Sequence, residues 1–118
     1  MVAAVYGNLF VAKLCPISTT TPLTTVSEFG KAVLHDITVV NFGCSARARL
    51  GYGLFFYVGT QPIFFHKVDE LIVGNGDVED HWDGRMVLEA GTELLYQDFY
   101  GSSGGAYVAV AGWSLSNP

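Results

Sequence analysis

The residues able to do chemistry are few, and their spacing does not suit it. Three histidines, His35, His66 and His81, stand apart along the chain. No pair has the H-x-x-x-H spacing that brings two ligands to one metal, nor is there a C-x-x-C. The densest acidic stretch holds Asp69, Glu70, Asp77, Glu79, Asp80 and Asp83. With Asn75 it offers some of the roughly six to eight oxygens that a hard cation takes, but it lacks the closing Glu of an EF-hand. It reads as a solvated acidic loop, 69–83, between strands. Ser102 and Ser103 lie in the glycine-rich tip Gly101–Gly105, too mobile a place to hold an oxyanion hole in register. Gly43–Cys44–Ser45 is a turn, not a G-x-S-x-G elbow, and GSSGG lacks the Lys of a phosphate-binding loop. The chain therefore reads as non-enzymatic, with no catalytic residue, metal or cofactor.

Aromatic side chains offer a second kind of chemistry. Trp82, Trp113, Tyr100 and Tyr107, with Tyr96 near them, are candidates for a platform that stacks on sugar rings. Aromatics at alternating strand positions more often fill a core or an interface.

The elements that must position these residues are strands. The chain has 118 residues, 14 of them glycine, and no stretch with a clean helical period. Alternation or turn composition predicts strands over 9–14, 23–29, 31–41, 47–58, 63–68, 71–73, 80–88, 93–100, 106–111 and 113–115. In the third, Val33, His35, Ile37 and Val39 share one face. In the fourth, Ala48, Leu50, Tyr52, Leu54, Phe56 and Val58 point inward, and Arg47, Arg49, Gly51, Gly53, Phe55 and Tyr57 outward. About seven to nine short strands at this spacing predict one all-β domain over 1–118, an antiparallel, jelly-roll-like β-sandwich. Residues 1–22 read as a first strand followed by an extended arm over Ile17–Pro22. Cys15 and Cys44 read as two free buried thiols.

Charge sharpens the picture. Six basic and eleven acidic residues make up 14% of the chain and leave it at −5, against about 25% charged residues in an average soluble domain. So acidic a chain lacks the footprint of a nucleic-acid binder. No apolar run is long enough for a membrane helix, and residues 1–15 lack the pattern of a signal peptide. Few charges on a small domain imply that some sheet surface is covered by other subunits.

Three segments carry a resemblance. They are LTTVSEFGKAVLHDITVVN over 23–41, HWDGRMVLEAGTELLYQ over 81–97, and YVAVAGWSLS over 107–116. In that order they resemble small β-sandwich virion proteins of tailed bacteriophages of actinobacteria, of the minor tail or capsid decoration type. The resemblance implies a structural role in a virion, with self-association (trimers among the forms expected) and docking on other virion proteins of tail or head. Its motifs mark turns and strand ends, so it implies no catalytic residue. The subunit interface expected from the sequence is the aromatic strip Phe55, Phe56 and Tyr57, continued by Phe64 and Phe65. The alternatives are a capsid decoration protein on the phage head, a carbohydrate-binding module touching a glycan of the host envelope, and a small metal-dependent hydrolase of cupin-like shape.

Overall fold

The computed structural model describes residues 5–28, 30–71 and 75–116, and among them no residue is helical. Eight strands follow in order: β1 Val5–Cys15, β2 Thr20–Thr25, β3 Gly30–Cys44, β4 Arg49–Val58, β5 Gln61–Leu71, β6 Gly76–Leu88, β7 Glu93–Tyr100 and β8 Ala106–Ser116. They build two four-stranded sheets with orders β1-β8-β3-β6 and β2-β7-β4-β5. Every pairing is antiparallel. Only β4 and β5 are joined within one sheet; all other connections cross between sheets, which is the connectivity of a jelly roll. No helix among the described residues is long and apolar enough to cross a membrane.

Alternation builds the core. Leu34, Ile37, Val39, Val108 and Val110 of the first sheet face Leu23, Leu50, Tyr52, Leu54, Leu94 and Tyr96 of the second, all buried. The alternation expected for β3 breaks between Leu34 and Asp36, where its register with both neighbours shifts. That irregularity lets Leu34 enter the core together with Ile37 and Val39, whereas strict period-2 spacing sets Leu34 on the opposite face.

Three other expectations are corrected. Residues 17–22 are not an arm: after a turn, Thr20–Thr25 pairs with β7 inside the second sheet. Arg47 does not share a strand face with Arg49, because it turns the chain at φ 63° before β4 begins. The acidic stretch 69–83 is largely not a loop, since β5 runs to Leu71 and β6 starts at Gly76. The expected short strand 71–73 falls mainly outside the described residues, as does Phe29. Cys15 and Cys44 are free and buried, and burial raises both thiols above their ordinary pKa.

Candidate functional site

Titratable side chains converge between the sheets along the β5–β6 side. The β4–β5 register slips between Leu54 and Phe55, so that Leu54 faces His66 and Phe55 faces Phe64. The unmatched residue, Phe65, is a bulge, and it brings Phe65 and His66 together to the inner side. From the opposite sheet Asp80 of β6 points in to meet His66. The Tyr52 hydroxyl donates to Asp80 Oδ2, His66 Nε2 lies 2.9 Å from the same oxygen, and Tyr52 and His66 are 3.3 Å apart. A carboxylate only accepts, so the His66 tautomer here carries its proton on Nε2. The second oxygen, Asp80 Oδ1, accepts from the His81 backbone N–H at 2.9 Å.

The electrostatics follow from this geometry. Burial pushes the Tyr52 phenol far above its ordinary value, and its bond to Asp80 adds to the rise, so Tyr52 stays a donor. Burial would raise Asp80, but the bonds from Tyr52, His66 and the His81 backbone outweigh it and hold the carboxyl below the usual range. Behind Tyr52 its ring stacks on Tyr96 at 5.6 Å, and the Tyr96 hydroxyl donates to Asn41 Oδ1 at 3.2 Å. A buried polar line thus runs from β6 through β4 and β7 to β3. A buried carboxylate, Asp98, accepts from the Ser18 backbone N–H at 2.8 Å and from the Ser102 hydroxyl at 3.3 Å, tying two loops together. Sequence reasoning missed both groups, because the contacts that build them, Asp80 with Tyr52 and His66 and Asp98 with Ser18, join residues remote in the chain.

The acidic residues otherwise disperse. Asp69 pairs with Arg49 at 3.2 Å and accepts from the Tyr100 hydroxyl, while Asp77 accepts from the Gly43 N–H at 3.3 Å. Among the described residues no group of three or more His, Cys, Asp or Glu is placed to hold a metal ion.

The expected aromatic strip divides between two faces. Phe55 lies on the outer face of the second sheet yet is only 2% exposed, because Phe64 covers it at 4.7 Å. Phe64 also lies close over Gly53 and near Phe99, and the Tyr100 ring covers Gly51. Lys67 Nζ sits 5.3 Å from the Phe64 centroid. Phe56 and Phe65 pack inward against the core, and of the five only Tyr57 is half exposed. The flat strip beside Gly51 and Gly53 is therefore covered by the chain's own rings.

The four sugar-stacking candidates do not share a platform either. Trp82 is partly buried between the sheets, edge-on to Phe65 at 5.3 Å. Tyr100 lies outside the second sheet. Trp113 and Tyr107 lie outside the first, six positions apart on β8, or roughly 20 Å. Trp113 stands edge-on to His35 at 4.5 Å in a shallow groove that Asn8, Phe10 and Asp36 also line.

An apolar surface is open on the outer face of β1 and β8. Register sets Asn8 beside Trp113, Phe10 beside Ala111, Ala12 beside Ala109, and Leu14 beside Tyr107. Phe10 is 69% exposed, Leu14 72% and Trp113 45%. The signal in the sequence is that β1 is apolar on both rows, Leu9 and Val11 on one and Phe10 and Leu14 on the other.

No family model and no curated protein sequence matches the chain. Solved structures do. Dimeric latent PorU from Porphyromonas gingivalis matches at 7% identity and TM-score 0.49, over 95% of this chain and 13% of that one. A structure of infectious bursal disease virus, Gx strain, matches at 8% identity and TM-score 0.44, over 96% and 32%. The virus-like particle of the extra small virus of the giant freshwater prawn Macrobrachium rosenbergii matches at 9% and TM-score 0.40, over 97% and 80%. The chain thus spans a third or less of the first two. Likenesses this distant carry no activity, partner or location across to it.

Proposed function

We propose that the chain is a non-enzymatic structural protein of a virion that self-associates and docks on a larger tail assembly; its resemblance to phage virion proteins of the minor tail or capsid decoration type supports the structural role. The observation that carries this reading is the open apolar face of β1 and β8 on a chain with so few charges. Large exposed apolar patches mark interaction sites, whereas scattered single residues do not. The jelly-roll connectivity supports it as a scaffold: rigid sheets hold a contact face in shape and need no catalytic machinery. The test is light scattering of the purified protein at micromolar concentration, with co-sedimentation against tails and heads lacking it. An oligomer that sediments with tails supports the reading. Sedimentation with heads alone moves the protein to a capsid decoration role, and a monomer that binds neither overturns it.

One observation favours a second reading, contact with a host-envelope glycan. Trp113 is exposed beside polar neighbours, His35, Asp36 and Asn8, in one groove. Glycan-array binding that Trp113→Ala abolishes, with the fold intact, is the result this reading requires.

A further inference from the structure

The sandwich has four edge strands, β1 and β6 in one sheet and β2 and β5 in the other. An edge strand exposes a row of unpaired N–H and C=O groups, and proteins guard such rows with proline, charge, bulges or shortness. Three of the four edges here are guarded. β2 has only six residues, holds Pro22 and slips register beside it. β5 holds Pro62, Lys67, Asp69 and Glu70 and carries the Phe65 bulge. β6 holds Asp77, Glu79, Asp80, Asp83 and Arg85 and slips register twice against β3.

β1 has almost none of this. It runs eleven residues without proline, and its pairing with β8 is unbroken from Val5 to Cys15. Its one charge, Lys13, lies on the inward row, and its Nζ donates to the Pro22 carbonyl of β2 at 2.9 Å. β8 beside it carries no charged residue at all. Beside this edge lies the open face of Phe10, Leu14, Tyr107 and Trp113.

We propose that β1 pairs edge to edge, antiparallel, with β1 of a second copy of this chain, joining two four-stranded sheets into one of eight strands. The proposal rests on the self-association in the reading above and gives it a surface and a symmetry. Charge selects the occupant. Each copy carries −5, and the acids lie on other strands and loops, so two copies approach along β1 and β8 without placing carboxylates face to face. A strongly charged partner finds no counter-charge there. Antiparallel pairing of identical strands is two-fold, so the contact closes on itself and does not grow into a fibre. A two-fold axis through Ala12 keeps outward residues outward and sets Phe10 opposite the partner's Leu14.

The test compares the full chain with Phe10→Lys and Leu14→Lys by sedimentation equilibrium, with circular dichroism as the check on folding. Both side chains are exposed, so the fold should tolerate the change. The wild type is expected to be a dimer. Either variant should raise its dissociation constant roughly a hundredfold or more, because symmetry applies the substitution twice. Tyr57→Lys, on the second sheet, should leave the dimer unchanged. Amide exchange along β1 should slow as the wild-type concentration rises.

A trimer, or a dimer lost with Tyr57→Lys and kept with Phe10→Lys, overturns the β1 contact and leaves self-association standing. A wild type monomeric throughout the micromolar range overturns both. Protection of β1 that arises only when tails are added overturns the choice of a second copy.

Discussion

Asp80 is where one side chain joins the two sheets, and its energetics have a definite sign. Its carboxyl is held below the ordinary value of 3.8, because the bonds from Tyr52 and His66 outweigh the cost of burial. A carboxyl whose folded value lies below its unfolded one contributes stability that is fully present above the ordinary range. That contribution is lost as pH falls through the folded value. Urea unfolding of the wild type should therefore weaken on acidification below about pH 4. Asp80→Asn should be less stable at neutral pH by about 1 kcal/mol, a value reduced by solvent screening at a side chain 36% exposed, and the gap between the two proteins should close across that acidic window. A gap of constant size would show that the charge of Asp80 contributes nothing. Gly53 gives a steric counterpart. A Cβ there would stand 2.5 Å from Phe64 Cε1, on a ring flanked by Phe55 and Phe99. Gly53→Ala should cost about 1–3 kcal/mol by overpacking. Gly51→Ala should cost less when both variants are compared by thermal unfolding, since the Tyr100 ring it meets is 41% exposed and is held at its tip by the hydroxyl's bond to Asp69. None of this was legible in the sequence. Tyr52 is 14 residues from His66 and 28 from Asp80, and no local pattern encodes a contact between sheets.

At the scale of elements, β3 and β4 were legible because a half-buried strand must alternate, and β1 as a short apolar run between turn residues. What alternation hides is the bulge. One residue of slip at Phe65 sends two successive side chains inward, and one near His35 puts Leu34 and Ile37 on the same side. The same limit explains the misplaced interface: Phe55 does point outward as alternation requires, but only the fold shows Phe64 lying over it. The β5 bulge has a mechanical consequence. β5 and β6 are edges of opposite sheets with no ladder between them, so side chains close that side of the sandwich. Phe65 against Trp82 is the apolar half of the closure, and Tyr52 and His66 on Asp80 the polar half. Trp82→Ala should therefore destabilise by about 2–3 kcal/mol, less than a fully buried tryptophan would. Its hydrogen-exchange signature should be local, with β5 and β6 amides opening faster while those of β3 and β8 keep their protection. Uniform loss of protection across both sheets would mean that the sandwich unfolds as a single unit.

The whole molecule has more surface than its mass calls for. Its accessible area is 6777 Å², where a monomer of 12.7 kDa typically has about 6,200 Å². Its open sheet faces include the apolar face of β1 and β8. The charges lie elsewhere, and this separation governs how association must respond to salt. A contact built from ion pairs weakens as salt screens them. Two copies that meet on an uncharged face gain nothing from Coulomb attraction, yet each brings a net charge of −5 to the encounter. Their long-range interaction is repulsive, and salt shortens its reach to about 8 Å at physiological ionic strength. Raising the salt from low to physiological levels should therefore tighten self-association severalfold, chiefly through a faster on-rate. Sedimentation equilibrium across a salt series reads this directly. Weakening with salt would mean that basic residues, Lys31, Arg47 or Arg85 among them, carry the contact, and the interface would then have to be sought away from the face of β1 and β8.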